Sequence, residues 1–372
     1  MSAPMTTSLT LDRRDMPRAA TDSRATTVRV ADDKAMLRTA AELTRDLHAP
    51  RPAIYWTDLI VSAAIGYAGL AGAILLASPV WAIAAGAIAV FALYRAESFI
   101  HELSHVKHSS LPGFRLGWNA LIGVPLFVPS FMYEGVHNLH HARTRYGTAD
   151  DPEYLPLARM KPYSLPLFLL VAALAPISLM FRFAVLTPIA ALFPRFRDVL
   201  VTRFSALAIN PAFRRREPEG EARSLWRWQA AATSVWSIAL IAAVATGIVP
   251  LRAFLIFLGI LSTAAVINQV RTLVAHLWEN EGEPMSVTAQ YLDSVNVPPP
   301  GVLPFLWAPV GLRYHALHHL LPGLPYHALG TAHRRLATAL AAHSPYHAAN
   351  YRSLTGLLQR LAASTLRVSR TR

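Results

Sequence analysis

The sequence of 372 residues contains no cysteine. Disulfide bonds, iron–sulfur clusters and thiolate-ligated haem are therefore excluded, because each of them requires a cysteine sulfur. A metal site in this chain has to use the side chains of histidine, aspartate, glutamate, asparagine or glutamine.

Charged residues are scarce as well: they make up 15% of the chain, whereas 53% of it is hydrophobic. This composition is too apolar for an ordinary soluble enzyme, and several apolar runs approach the about 20 residues that span a bilayer. Lys and Arg outnumber Asp and Glu by 35 to 22, which gives a net charge of +13. Because the basic residues lie between apolar runs, they indicate cytoplasmic loops facing anionic lipid, and we expect no nucleic-acid partner.

The long apolar runs are paired along the chain. Residues 54–77 and 80–100 are separated only by Ser78-Pro79, and residues 229–247 and 252–276 are separated by a short turn. Runs joined so closely form helical hairpins, and their basic or histidine-rich flanks place both ends of each hairpin in the cytoplasm. The sequence therefore predicts an all-α integral membrane protein with about four spans in two hairpins, multi-pass in a bacterial inner membrane.

Two further apolar stretches, residues 116–132 and 165–192, are ambiguous. Each contains two prolines, and the second also carries Arg182 near its middle. Proline breaks and a mid-segment arginine are costly in a straight helix that faces lipid. We therefore expect interfacial or re-entrant helices at both stretches.

Composition also divides the chain into three parts. Residues 1–50 are polar and rich in Thr, Arg and Asp, which is typical of a disordered or surface-lying cytoplasmic tail. Residues 51–345 contain the apolar runs and most of the histidines, and they form the predicted membrane-embedded catalytic domain. Residues 346–372 form a basic C-terminal tail or helix.

The histidines that carry chemistry occur in four clusters. They are His101 and His105 in HELSHVKH, the box HNLHH at 137–141, the single His276, and the box HALHH at 315–319. Side chains three or four residues apart share one face of a helix, so each box presents several imidazoles in one direction. All four clusters lie at the predicted cytoplasmic ends of the spans.

The number of these imidazoles constrains the metal site. Nine are too many for one zinc ion, because catalytic zinc takes about three protein ligands, and they suit two metal ions. Imidazole without thiolate fits iron, zinc or copper, and iron is the one whose oxygen chemistry attacks unactivated C–H bonds. A site that faces the membrane then suggests a lipid chain as the group attacked.

The boxes HELSH, HNLHH and HALHH resemble those of the membrane-bound fatty acid desaturase superfamily, and HHLLPGLPYHALGTAH is similar to the third-box region of its bacterial members. The resemblance covers roughly residues 54–340 and implies four core helices, a cytoplasmic histidine-rich cap and a centre of two iron ions. The iron ligands that it implies are His101, His105, His137, His140, His141, His276, His315, His318 and His319.

The resemblance also implies residues that support the centre. Glu102 is expected to orient a neighbouring histidine through a hydrogen bond. Desaturases of the animal type have an asparagine four residues before the extra histidine, where it can hold a metal-bound water. Here that position is Thr272, and Asn268, one turn earlier, is a candidate substitute. His108 is either a further ligand or a surface histidine, and four acidic residues could brace the boxes or simply lie in polar turns: Asp150, Asp151, Glu279 and Glu281.

The function that the resemblance implies is the O2-dependent oxidation of an acyl or other lipid chain. We expect foremost a desaturase, which removes two hydrogens to give a cis double bond; the alternative is a hydroxylase or ketolase that inserts oxygen. The chain has no flavin motif and no fused cytochrome or ferredoxin domain. Electrons are therefore expected from a separate ferredoxin or b-type cytochrome with its reductase, docked on the basic surface.

Two other classes of protein would give a role to fewer of the clustered histidines. An intramembrane zinc protease would use HELSH, with Asp293 as an acidic ligand, but it leaves both HxxHH boxes without a role. A non-enzymatic metal transporter or sensor would carry its ionisable residues along a mid-span pathway, whereas these histidines lie at the ends of spans.

Overall fold

The structure is a computed structural model that describes residues 30–371, with side chains up to residue 367. Every regular element in this range is a helix, and extended segments meet only at isolated β-bridges. The prediction of an all-α protein is therefore confirmed for the described residues. The helices are α1 (Lys34–Leu43), α2 (Pro52–Leu75), α3 (Pro79–Glu97), α4 (Phe99–His105), α5 (Phe114–Trp118), α6 (His137–His140), α7 (Ser164–Phe181), α8 (Thr187–Leu192), α9 (Pro194–Phe204), α10 (Gly220–Ala245), α11 (Leu251–Leu273), α12 (Val287–Asp293), α13 (Pro304–Trp307), α14 (His315–Leu320), α15 (Tyr326–Ala339) and α16 (Leu354–Thr371).

Several helical runs are suited to a membrane. Large apolar side chains on their surfaces remain exposed, such as Ile83 at 73% and Val235 at 68%, as expected of faces that contact lipid. The sequence predicted about four spans. Within the described residues, five runs are long and apolar enough to cross: Pro52–Leu75, Pro79–His105, Ser164–Leu192, Gly220–Ala245 and Leu251–Leu273.

The additional run, Ser164–Leu192, differs from the predicted interfacial or re-entrant helix. It continues from α7 through a π-helical turn at Arg182–Leu186 into α8. Arg182 is tolerated because the chain itself satisfies its guanidinium: Nε donates to the carbonyl of Phe204 and Nη2 donates to Ser205 Oγ, at 3.1 and 2.9 Å. Length and composition therefore allow a fifth span. Residues 116–132, in contrast, form only short helical turns.

Helices α2 and α3 pack closely along their length. Both begin with a proline in their first turn, where the missing N–H group costs no hydrogen bond. A Cβ atom placed on Gly69 would lie 2.8 Å from the carbonyl oxygen of Ala85 and 2.9 Å from the amide of Ala89. The two backbones can therefore approach this closely only because residue 69 is glycine.

Helices α10 and α11 do not repeat this arrangement. The short turn 246–250 connects them, but α11 packs mainly against α7 and α3, whereas α10 packs against the π-helical turn Arg182–Leu186. Helices α10 and α11 are thus consecutive in sequence, but each packs mainly against other elements. The apolar run that we predicted to be interfacial provides the packing surface for both helices.

Four of the shorter helices and one turn form a second core outside the apolar runs. The buried residues of this core come from α1, α12, α14, α15 and the turn at Pro345–Ala349: they include Met36, Ala40, Tyr291, Leu317, Leu329 and Tyr346. Asp33 begins α1 by accepting a hydrogen bond from the amide of Met36, and its own amide donates to Thr288 Oγ1. The predicted tail, residues 1–50, thus contains an ordered helix, and its residues 1–29 lie outside the described residues. At the other end, α16 buries Leu357 and Leu361.

We predict that Gly69→Ala lowers the thermal unfolding temperature of the purified protein in detergent. The added methyl group meets backbone atoms that cannot move aside, and overpacking of this kind costs about 1–3 kcal/mol. The matched control is Gly259→Ala in α11, where a Cβ atom would meet nothing within 4 Å. An equal change in both variants would contradict the close approach of α2 and α3.

Candidate metal centre

The four histidine clusters meet in two groups at the junction of the apolar helices and the second core. His101 and His105 lie on α4. The second box forms α6 and its last turn, the third box begins α14, and His276 lies in the extended segment after α11. In each group the potential ligand atoms all lie within 4.8 Å of one another. The first group contains His101, His105, His137, His141 and His318, and the second contains His140, His276, His315 and His319.

Within each group the ring nitrogens point at one another. In the first group, Nε2 of His318 lies 3.1 Å from Nε2 of both His105 and His141. In the second, Nε2 of His315 lies 3.0 Å from Nε2 of His276 and 3.1 Å from that of His319. Such convergence places several lone pairs around one point, as in the ligand shell of a metal ion.

The burial of these rings favours a metal site over a cluster of histidines that only form hydrogen bonds with one another. Both ring nitrogens of His101 are buried and make no hydrogen bond, which is costly unless another partner binds them. Burial is also the main reason that the pKa values of six further rings are lowered: His137, His141, His276, His315, His318 and His319. These rings are therefore neutral, which is the state in which imidazole binds a metal. The donor set fits two metal ions.

Carboxylates hold the Nδ1 side of three rings. His140 Nδ1 donates to Asp151 at 2.9 Å, and His137 Nδ1 donates to Glu153 at 2.9 Å. His276 reaches its carboxylate through Tyr146, whose hydroxyl lies 2.8 Å from Nδ1 and donates to Asp293 at 2.8 Å. Because the proton is held on Nδ1 in each case, Nε2 is left with its lone pair toward the group.

The pKa values near the second box follow the same contacts. Burial disfavours the charged ring of His140, but the neighbouring Asp151 carboxylate more than offsets this and raises the pKa of His140. Burial raises the pKa of Glu153 to about 7 and that of Asp293 to about 6. Hydrogen bonds from Tyr133 to Glu153 and from Tyr146 to Asp293 act against burial and favour the charged carboxylates.

Glu102, predicted to orient a histidine, is buried but lies 3.9 Å from His101 Nδ1, too far for a hydrogen bond. It accepts instead from the hydroxyl of Tyr55 and from the amide of Tyr326, at 3.1 Å in the latter case. Glu102 thus ties α2 and the start of α15 to the helix that carries the first box. Its contribution to the site is to fix the position of α4.

Thr272 and Asn268 lie in the last turns of α11, before His276. Thr272 Oγ1 donates to the carbonyl of Asn268, and the Asn268 side chain accepts from Arg271 Nη2 at 2.9 Å. Among the described residues, neither side chain forms a hydrogen bond with one of the nine histidines. Their role in holding a water molecule stays a prediction.

His108 lies outside both groups, 3.2 Å from a Glu134 oxygen. Of the four acidic residues that could brace the boxes, only Asp151 contacts a clustered histidine: Asp150 is exposed, and Glu279 and Glu281 pair with arginines. Sequence reasoning missed the second carboxylate and the hydroxyl contacts of the site, which come from Glu153, Tyr133, Tyr146 and Asp293. Glu153 lies within GTADDPEY, the stretch that contains Asp151. No local sequence pattern identifies Tyr133, Tyr146 or Asp293 as contacts of the site.

Comparison with known proteins agrees with this geometry. The family described as fatty acid desaturase matches residues 79–351, so the chain belongs to that family. It is accordingly a membrane oxidoreductase that acts on lipids. The chain is 52% identical over 322 residues to the ceramide hydroxylase of Caulobacter vibrioides (strain NA1000 / CB15N), a match that covers 87% of this chain and 92% of that protein. No solved structure matches the chain.

We predict that Asp151→Asn lowers the metal content of the purified protein. The substitution removes the charge that fixes the tautomer of His140, and the loss of such an outer partner typically weakens metal binding by about 10- to 100-fold. The measurement is elemental analysis after dialysis against a chelator. Asp150→Asn is the matched control, because Asp150 is exposed and contacts no histidine. Equal metal retention in both variants would contradict the assigned role of Asp151.

Proposed function

We propose that this protein hydroxylates a hydrocarbon chain of a ceramide-type lipid at a centre of two iron ions. The observation that supports this proposal most strongly is the 52% identity with a ceramide hydroxylase across 87% of the chain. The nine clustered histidines support the oxidative chemistry, because they form two compact nitrogen-rich groups. This choice reverses our preference from sequence motifs alone, which favoured a desaturase.

We assign one iron ion to each histidine group. His101, His105, His137, His141 and His318 would hold the first ion, and His140, His276, His315 and His319 would hold the second. Bound iron would supply the activation of dioxygen that oxidation of an unactivated C–H bond requires. Hydroxylation consumes one dioxygen molecule, two electrons and two protons, and it releases the second oxygen atom as water.

The protein's own residues hold the histidine rings in position and exclude bulk water from the site. Asp151, Glu153 and the pair Tyr146–Asp293 hold histidine rings in one tautomer and orientation. The buried position of both groups keeps bulk water from the reacting carbon and from the oxidant. Thr272 and Asn268 remain candidates for holding a water molecule near His276.

Membrane placement follows from charge and apolarity. The arginine-rich stretch 195–227 lies between the apolar runs and favours a cytoplasmic position for the adjoining ends of the helices. We therefore place both metal groups on the cytoplasmic side, in a catalytic unit that spans residues 51–345. Electrons would arrive from a separate ferredoxin, or from a b-type cytochrome with its reductase.

The second candidate function is desaturation of an acyl chain, and the family description supports it. Both reactions begin with removal of hydrogen from a methylene group by the same kind of site. They differ in whether a second hydrogen leaves or oxygen is inserted, and family membership alone does not decide between them.

The test is lipid mass spectrometry of ceramide-producing cells that express the wild-type protein or His318→Ala, grown under ¹⁸O-labelled dioxygen. We expect a ceramide species that is heavier by one labelled oxygen atom with the wild type and absent from the variant. His108→Ala is the control, because His108 lies outside both groups, and it should retain the product.

A species lighter by two hydrogens, without labelled oxygen, would establish the desaturase instead. A product that persists in His318→Ala would overturn the assignment of His318 to the centre.

A further inference from the structure

A cavity of about 840 Å³ lies beside the second histidine box and takes no part in the proposed chemistry. Val136 and Leu139 contribute to its wall, while the intervening His137 and the following His140 belong to the metal groups. Five arginines line it, from three segments of the chain: Arg115, Arg145, Arg214, Arg215 and Arg216. Only two acidic residues, Glu134 and Asp150, line the same cavity, so its charge is clearly positive.

Part of this positive charge has no carboxylate partner. Glu134 is already engaged, because its carboxylate lies 3.3 Å from Arg115 Nη1 and 3.2 Å from His108 Nε2. Arg145, Arg214 and Arg216 are exposed, and none of them forms a salt bridge with a described residue. Three arginines on one concave surface therefore remain available to an anion.

Arg215 forms the recessed part of the wall and is only 9% exposed. It donates hydrogen bonds to the backbone carbonyls of Ser205 and Glu134, and its guanidinium lies 4.3 Å from the ring centre of Trp226. Burial lowers the pKa of Arg215 to about 10, so it stays charged at neutral pH. Its hydrogen bonds go to neutral carbonyl groups, and although the Glu134 carboxylate lies near enough to favour the charged form, the buried guanidinium adds to the positive potential of the cavity.

Another part of the wall belongs to the start of α10, where Leu225, Trp226 and Gln229 line the cavity. Because α10 is one of the runs long and apolar enough to cross a membrane, we expect its first turns at the level of the lipid head groups. The cavity therefore combines arginines with apolar and aromatic side chains at the membrane surface. This combination matches a ligand with an anionic head and an apolar body.

We propose that this cavity binds the phosphate-bearing head group of a membrane lipid. Arginine suits this ligand because its planar guanidinium donates paired hydrogen bonds to phosphate oxygens. The concave shape and the recessed Arg215 favour a small head group over the flat acidic surface of an electron-donor protein. The inference rests on the cavity alone and does not depend on the outcome of the oxidation reaction.

The test is binding of dioleoylphosphatidic acid, compared with dioleoylphosphatidylcholine, to the purified full-length protein in detergent, measured by native mass spectrometry. We expect the double variant Arg214→Gln/Arg216→Gln to bind phosphatidic acid about tenfold more weakly than the wild type does. The matched control is Arg195→Gln/Arg203→Gln, which removes the same charge from exposed arginines of the same basic stretch that do not line the cavity. Thermal unfolding of all three proteins checks that each remains folded.

Wild-type affinity in the control variant, together with a preference of the wild type for phosphatidic acid over phosphatidylcholine, supports the site. Equal loss in both double variants would show nonspecific attraction to surface charge and overturn it. Displacement of the lipid by inorganic phosphate at similar concentration would assign the cavity to a soluble phosphate instead. Unchanged lipid binding with slower reduction of the cavity variant by ferredoxin would assign it to the electron donor.

Discussion

The convergence of nine imidazoles into two groups inside the protein is the constraint on which the rest of this structure depends. Neutral rings whose lone pairs face one another repel and leave buried nitrogens without partners, as at His101, so the arrangement is favourable only when cations bind between them. The clustered rings come from positions as distant in sequence as His105 and His318. The packing of the apolar helices against the second core is therefore what holds the two groups together.

Charge compensation explains why acidic residues lie behind the histidines and not among them. Two divalent cations bound between the histidines would bring four positive charges into this region, and imidazole, which carries no negative charge, would balance none of them. Asp151, Glu153 and Asp293 supply negative charge at the second layer, where each also fixes the proton on an Nδ1 atom or on a hydroxyl. This arrangement leaves the ring nitrogens free to bind a metal ion, while the carboxylates set the orientation of the rings.

Sequence predicted the nine clustered histidines because helical spacing and box composition are local properties. It did not predict the contacts of Tyr146 with His276 and Asp293, which join residues 130 and 147 positions apart. It also treated Pro176 and Arg182 as signs of an interfacial helix, although Phe204 and Ser205 satisfy the arginine. Pairing of α10 with α11 was inferred from a short turn, whereas the packing surface of α7 determines where α11 lies.

The histidine groups do not by themselves decide between hydroxylation and desaturation, because both reactions use the same kind of ligand set and begin by removing the same kind of hydrogen. The outcome depends on where the substrate carbon lies relative to the oxidant, and therefore on the walls that hold the lipid. The segment from Glu134 to His141 is central to this placement. It carries three of the clustered histidines, and its first carbonyl accepts a hydrogen bond from Arg215 of the basic cavity. A head group bound in that cavity would lie against the same short segment that carries these histidines.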